Sequence, residues 1–266
     1  MFARSIQPGL VSLFSSTGGG PLELFSVEVD DGLPSDSFVH LLNDITSHPA
    51  PPAPASLISL PNIYRDENAA TGTGRELDQT VLHIQSPTLR TTFIQCPPSP
   101  YPPSGGMDLG LRHTWLHIQV RNLGREWTFE ACIVDKVGRC GIVRCSTFQE
   151  APRVIRNADA APVLHLPLRF QPSSSSSLTA WSTVTLHLPS FIPQFASVAR
   201  SQMSSAVADN GSPVDRSSLH QTPLPGGSYS HLAFIKIYAT CRLRRVWLSD
   251  HAPVTGTPWE FQLYGN

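Results

Sequence analysis

Short windows of alternating apolar and polar residues follow one another between turn signals, as they do in half-buried β-strands. We predict ten strands, at residues 21–29, 79–86, 90–96, 114–122, 127–135, 140–148, 163–170, 181–188, 231–241 and 244–250. The glycine in "VDKVGRC" suits a tight turn, so strands 127–135 and 140–148 are expected to pair as an antiparallel hairpin. The pattern predicts an all-β fold, a single antiparallel β-sandwich or jelly-roll-like domain over residues 1–266.

Two segments instead carry helical spacing, residues 35–46 and residues 189–203, the second interrupted by Pro193. The first has apolar side chains at helical intervals: Phe38, Leu41, Leu42 and Ile45. It is interpreted either as a lid or partner-binding helix or, with more weight, as a surface helix that packs on the sandwich.

Composition supports short strands and limits the cellular compartments in which the protein is expected. The 266 residues include 25 prolines and 18 glycines, which punctuate the chain often. No run approaches the roughly 20 apolar residues of a membrane-spanning helix, and the opening lacks a secretory leader pattern, so we expect a soluble, unsecreted protein. The five cysteines contain no C-x-x-C pair, which favours buried, reduced thiols in the cytosol or nucleus. Cys140 and Cys145, each preceded by an arginine, are a candidate reactive pair, but inert burial is the favoured interpretation.

Charge is unevenly distributed along the chain. Residues 30–78 carry eight acidic side chains against two arginines, although the net charge of the whole chain is −1. The remainder is therefore modestly basic, which is compatible with binding an acidic surface but weaker than the basic stripe of a dedicated nucleic-acid binder.

Catalytic and ligand-binding signals are weak. Four similar strand windows contain a histidine, at His83, His117, His165 and His187. Because no carboxylate accompanies them at a diagnostic spacing, we predict no metal, and with no nucleophile or phosphate-loop motif we predict no enzyme and no cofactor. The five tryptophans suggest a carbohydrate-binding module as a further alternative, but core packing explains their apolar strand positions better.

Candidate partner-binding residues lie near the end of the chain, in "YATCRLRRVWLSD". Strand alternation puts Arg242 and Arg244 on the polar face beside Lys236, and a bend or bulge near residues 243–245 directs Arg245 elsewhere. Such a cluster is either a docking surface for an acidic partner or the charged edge of two strands.

The same segment resembles a family signature. "ATCRLRRVWLSD" is similar to the A-x-C-R-x-R-R-V-aromatic-x-S-D motif of the cilia- and flagella-associated protein 20 family. Further matches occur in the same order: "PLELF" (21–25), "TTFIQCP" (91–97), "LGL" (109–111), "RNLGREWTFE" (121–130), "STFQ" (146–149), "LPLRF" (166–170) and "WSTVTLHL" (181–188). Ordered matches over most of the chain are specific.

The resemblance implies a non-catalytic β-sandwich that is a structural protein of the cilium, the flagellum and their axoneme. Family members bind tubulin at the inner junction of doublet microtubules and contact neighbouring axonemal proteins. The expected location is therefore the cytoplasm, the cytoskeleton and the axoneme. Arginines suit an acidic tubulin wall because guanidinium groups pair with carboxylates through two hydrogen bonds.

This chain departs from typical members, which are shorter and rich in lysine. It carries apparent insertions, expected to be loops or disordered, at about residues 31–76, 97–106, 171–178 and 196–228. Longer loops leave the strands intact, but an acidic insertion alters the charge that a partner meets. The alternative function is a nuclear or cytosolic interaction module that binds another acidic partner, either a nucleic acid or a protein complex.

Overall fold

The computed structural model describes residues 1–3, 5–49, 58–59, 76–98, 108–158, 160–170, 180–209, 222–252 and 259–261. In chain order, its strands are β1 (Leu10–Ser15), β2 (Ser26–Glu28), β3 (Phe38–Asn43), β4 (Ile58–Ser59), β5 (Glu76–Leu77), β6 (Thr80–Gln85), β7 (Phe93–Cys96), β8 (Trp115–Asn122), β9 (Thr128–Asp135), β10 (Cys140–Ser146), β11 (Arg153–Asn157), β12 (Ala160–Pro167), β13 (Ser182–His187), β14 (Tyr229–Tyr238) and β15 (Cys241–Ser249). The helix α1 (Phe191–Asp209) follows a 3-10 turn at Leu188–Ser190, and another 3-10 turn spans Trp259–Phe261.

The strands form two main sheets. Sheet A has the order β13-β8-β15-β6-β3, and β1 also pairs with β15. Sheet B has the order β11-β12-β10-β9-β14-β7-β2. Strands β10 and β12 run parallel, whereas the other pairings within the two sheets are antiparallel where the structure describes them. The all-β sandwich predicted from alternation is confirmed, as is the β9–β10 hairpin.

The core lies between the inner faces of the two sheets. One side chain from each pleat of the central strands is fully buried, including Ile118 and Val246 from sheet A and Phe129 and Ile235 from sheet B. Burial of the inward-facing positions explains the apolar half of the alternation, because apolar area that leaves water gains roughly 25 cal/mol per Å². In β9 and β15 the outward-facing residues are buried as well.

Helix α1 contributes to this core. Its buried residues Ile192 and Phe195 join the apolar cluster between the sheets. Pro193 does not interrupt the helix, because it lies in the first turn, where a backbone N–H has no partner within the helix. Gly141 permits this packing, since a Cβ at that position would lie 2.7 Å from the Phe195 ring and 2.6 Å from Pro225.

The predicted helix at residues 35–46 is wrong. The segment contains strand β3, which pairs with β6 over its full length from Phe38 opposite Gln85 to Asn43 opposite Thr80. A helix at these residues would need Ile45 in its apolar face, yet Ile45 is 77% exposed. Pairing with an existing strand edge outweighs a short helical spacing pattern.

Two of the predicted loop insertions also contain regular structure. The range 31–76 includes β3, and the range 196–228 includes the end of α1 at Asp209. Residues 99–106 and 171–178 lie outside the described residues. Sequence reasoning also missed β1 and β11, both of which lie beside strands that it predicted. In the part of the chain that the structure describes, no helix has both the length and the apolar character needed to cross a bilayer.

Candidate docking surface

The four predicted partner-binding residues lie on two different sheets. Lys236 belongs to β14 in sheet B, whereas Arg242, Arg244 and Arg245 belong to β15 in sheet A. The chain passes from one sheet to the other at residues 239–240. The prediction that Arg242 and Arg244 extend the polar face beside Lys236 is therefore wrong, because continuous alternation does not reveal where a chain changes sheet.

Arg242 is bound by residues 44–47, which lie within the acidic range 30–78. Its Nη1 donates to Asp44 Oδ1 at 2.7 Å and to the Asp44 carbonyl at 2.5 Å, and its Nη2 donates to Ser47 Oγ at 2.6 Å. Asp44 also accepts from Trp181 Nε1 at 2.9 Å and forms an ion pair with Arg121 at 3.3 Å. Arg242 is 7% exposed, so most of its guanidinium faces groups of the chain itself.

Arg244 lies where β15 exchanges one neighbour for another. Residues 241–243 pair with β6, and residues 245–249 pair with β1. At this junction the Arg244 carbonyl accepts from the Ser16 amide at 3.0 Å, and its guanidinium donates to the carbonyls of Thr80, at 2.9 Å, and Asp78. The side chain is 1% exposed, and its donors satisfy backbone oxygens at the strand split.

The bulge expected near residues 243–245 is confirmed by a register shift between Leu243 and Arg245. It turns Arg245 toward the 3-10 turn Trp259–Phe261, where the guanidinium carbon lies 4.8 Å from the centre of the Phe261 ring. Gln119 Nε2 donates to the Phe261 carbonyl beside it. The three arginines of β15 thus stabilise contacts within the sandwich.

Lys236 belongs to a charged row across the outer face of sheet B. Directly opposed residues share one face of a sheet, and successive registers align six polar side chains: Arg153, His165, Arg144, Glu130, Lys236 and Gln95. We call these residues the outer row. Their strand neighbours Leu164, Val143, Ala131 and Ile235 point into the core.

The centre of the outer row is an ion pair. Arg144 Nη2 and Nε lie 2.6 Å and 2.7 Å from Glu130 Oε1. Glu130 is buried, whereas the Arg144 side chain is 32% exposed. The guanidinium therefore holds the carboxylate while part of it remains at the surface. The predicted hairpin already implied this pairing, because Glu130 and Arg144 lie symmetrically about its turn.

Lys236 is flanked by aromatic rings. Its Nζ lies 3.5 Å from the centre of the Phe93 ring and 4.9 Å from that of Tyr238. Burial lowers the pKa of Lys236, and the nearby Glu130 charge acts in the opposite direction. The rings attract the ammonium through their electron-rich faces and hold it at the sheet surface.

His165 is the neutral member of the outer row. Burial lowers its pKa to about 4, helped by the charges of Arg144 and Arg153. Its Nε2 lies 2.7 Å from Ser146 Oγ, and Phe148 approaches the ring edge to face. At neutral pH the outer row therefore carries three cations, Lys236, Arg144 and Arg153, against the carboxylate of Glu130.

The four histidines of the repeated strand windows are not gathered at one site. His83, His117 and His187 belong to sheet A, and His165 belongs to sheet B. Among the described ranges, no group of three or more histidine, cysteine or acidic side chains is arranged to hold a metal ion. His117 is instead stacked on Trp247 and bonded to Ser249 Oγ at 2.9 Å.

The tryptophans mostly serve the interior. Trp127 is fully buried and donates from Nε1 to the Tyr238 carbonyl at 3.0 Å, and Trp247 is also buried. Trp115 and Trp181 are half-buried, and the side chain of Trp259 lies outside the described residues. None of the four described side chains is an exposed platform for a sugar ring.

These features define an all-β protein with cationic side chains on the outer faces of both sheets. Those of β15 in sheet A are buried, whereas Arg144 in sheet B remains partly exposed. Comparison with known proteins agrees. The model of the CFA20 domain matches residues 68–204, more than half of the chain, and the chain belongs to the CFA20 domain family.

Curated relatives extend the match to nearly the whole chain. Proteins named "Cilia- and flagella-associated protein 20" are similar to it in Caenorhabditis elegans (22% identical) and in Chlamydomonas reinhardtii (21% identical). Each alignment covers 99% of this chain, together with 91% of the nematode protein and 97% of the algal protein. A Paramecium tetraurelia protein of the same name is 21% identical over 99% of this chain and 96% of its own length.

Proposed function

We propose that this protein is a non-enzymatic structural component of cilia and flagella that docks on the wall of doublet microtubules through the outer row of sheet B. Its family membership and the names of its relatives support the cilium. The observation that carries the docking surface is the row itself, with three cations aligned on one sheet face and a single carboxylate among them. An acidic tubulin wall is the complementary partner, and the inner junction is the position that the family resemblance implies.

The outer row suits a charged partner better than β15 does. Arg153 is exposed, and Arg144 remains partly exposed while it pairs with Glu130. By contrast, the arginines of β15 are each less than 10% exposed and contact backbone carbonyls, a carboxylate or a ring of the same chain. In this proposal Lys236 contributes to docking, whereas Arg242, Arg244 and Arg245 keep the sandwich in the shape that docks.

The affinity of binding through a row of surface charges depends on the salt concentration. Exposed charges are screened beyond about 8 Å at physiological ionic strength, so affinity falls as salt rises. Removing one cation at the rim costs binding energy without removing a core contact.

The test is co-sedimentation of the full chain with taxol-stabilised microtubules over a salt series. We expect binding at low salt that weakens steadily, and a loss of roughly fivefold or more in affinity for Arg153→Glu. Arg125→Glu is the matched control, since Arg125 is an exposed arginine outside the outer row, and its affinity should change less than twofold. Absence of sedimentation at low salt, or equal losses in the two variants, would contradict the proposal.

A further inference from the structure

Two cysteines meet on the β9–β10 hairpin. Cys132 lies opposite Ile142, and Cys140 lies opposite Val134, so the two cysteines are diagonal neighbours on the same face of sheet B. The candidate pair in the sequence was Cys140 with Cys145, but residues five apart in a strand point to opposite faces, and the structure pairs Cys140 with Cys132 instead.

Only one member of this pair is open to solvent. Cys140 is exposed, contrary to the expectation of buried thiols, whereas Cys132 and the remaining three cysteines are buried. Cys140 lines a cavity of about 460 Å³ together with Arg139 and small side chains that include Ala158, Ala160 and Thr222. A small reagent can therefore reach the Cys140 sulfur from solvent, whereas the Cys132 sulfur is buried.

The surroundings favour a thiolate at Cys140. The neighbouring Cys132 thiol lowers the pKa of Cys140 to about 7, with burial and the Asp108 and Asp135 carboxylates acting against it and His231 assisting. The neighbouring Cys140 and burial raise the pKa of Cys132, so Cys132 keeps its proton. Burial raises the pKa of Cys145 to about 12, which leaves that thiol unreactive.

We propose that Cys132 and Cys140 form a peroxide-sensitive dithiol in which Cys140 is the attacking thiol and Cys132 the resolving thiol. The Cys140 sulfur attacks one oxygen of hydrogen peroxide, which forms an S–O bond, breaks the O–O bond and releases hydroxide that leaves as water. Cys132 then loses its proton, and its sulfur attacks the oxidised sulfur of Cys140. The S–S bond forms, the S–O bond breaks, and the second oxygen departs as water.

The net change is that two thiols lose two hydrogens and one peroxide becomes two waters. The product is a disulfide that joins β9 to β10 near their turn, and a thiol reductant reverses it by exchange. This inference is independent of microtubule docking, since it concerns the hairpin chemistry alone.

Peptide mapping after peroxide treatment tests the dithiol. Trypsin cleaves after Lys136, Arg139 and Arg144, so Cys132, Cys140 and Cys145 fall on three separate peptides. In the reduced full chain exposed to hydrogen peroxide, we expect loss of two hydrogens from the intact mass and a disulfide-linked peptide pair that contains Cys132 and Cys140. The Cys145 peptide should stay reduced.

Variants assign the two roles. Cys132→Ser removes the resolving thiol, so a sulfenic acid should accumulate on Cys140 and be trapped by dimedone. Cys140→Ser should slow peroxide consumption by at least about tenfold, whereas Cys145→Ala should leave the rate unchanged. Circular dichroism verifies that each variant is folded. The proposal fails if wild-type Cys140 stops at the sulfenic acid without a disulfide, or if Cys140→Ser reacts as fast as the wild-type chain.

Discussion

The outer faces of the two sheets use their cations in opposite ways. On sheet A, Arg242 and Arg244 are turned into the molecule, where oxygen atoms of residues 44–47 and 78–80 receive their donors. On sheet B, Arg144 pairs with one buried carboxylate and stays partly exposed, and Arg153 is exposed. The same side-chain chemistry thus supports the fold on one face and remains accessible on the other.

The difference arises from what lies over each sheet. Residues 44–47 and the turn that contains Phe261 cover part of sheet A at β15. Asp44, one of the acidic residues in the range 30–78, therefore provides Arg242 of β15 with an ion-pair partner from the same chain. A cluster of arginines in a sequence indicates side chains that need anions or carbonyl oxygens as hydrogen-bond acceptors. The fold determines whether those acceptors belong to the same chain or to another molecule.

The largest effect that sharpens this comparison is expected from Arg244→Ala. The change removes a side chain that is 1% exposed and leaves the carbonyls of Thr80 and Asp78 without its donors, so we expect a loss of about 3–5 kcal/mol in the free energy of unfolding. Urea titration followed by tryptophan fluorescence measures it. Arg153→Ala, on the exposed end of the outer row, should stay within about 0.5 kcal/mol of wild type. Equal losses in the two variants would break the comparison.

A second effect is the acid sensitivity of a buried histidine on sheet A. Burial lowers the pKa of His117 from 6.5 to about 4, so the unfolded chain takes up a proton before the folded chain does. Stability should therefore fall as the pH decreases from about 6.5 to 4. His117→Gln should remove on the order of 2 kcal/mol of that fall, measured as unfolding free energy across this pH range.

His165 provides the corresponding test on sheet B. Its pKa is also lowered to about 4, so His165→Gln should reduce the pH dependence in the same direction and over the same window. An unchanged slope in both variants would show that these histidines are not held neutral by the fold.

A smaller effect on stability than those of the histidines is expected for Glu130→Gln in the outer row. The variant keeps the shape of the side chain but weakens the pair with the partly exposed Arg144, which should cost about 1 kcal/mol of unfolding free energy. Microtubule binding at low salt should instead become two- to threefold tighter, roughly, because the row loses its carboxylate. Weaker binding in a folded variant would argue against docking through this row.

Much of the fold could be predicted from alternation, because burial of every second side chain is a local signal. The ten predicted strands have counterparts, and the bulge before Arg245 was visible as a change of parity. Strand β3 could not be identified in this way. Its apolar residues suit a helix or a strand, and only the free edge of β6, which is remote in sequence, decides between them.

The candidate site was less predictable. Whether Arg242 lies beside Lys236 depends on the crossing between sheets at residues 239–240, and a continuous alternating pattern carries no mark of it. The position of Arg144 beside His165 and Arg153 depends on the parallel pairing of β10 with β12. No turn in the sequence marks that pairing. The Cys132–Cys140 contact was within reach of the predicted hairpin, because its register brings the two positions onto one face.

A double-mutant cycle between Arg242 and Asp44 tests most directly whether the arginines of β15 belong to the fold. Arg242→Met and Asp44→Asn preserve much of the shape of each side chain. The double variant separates the interaction energy between Arg242 and Asp44 from the contacts of Asp44 with Trp181 and Arg121. We predict a coupling of about 2 kcal/mol or more in unfolding free energy, since both side chains are nearly buried and 2.7 Å apart. A coupling below about 0.5 kcal/mol would contradict the account.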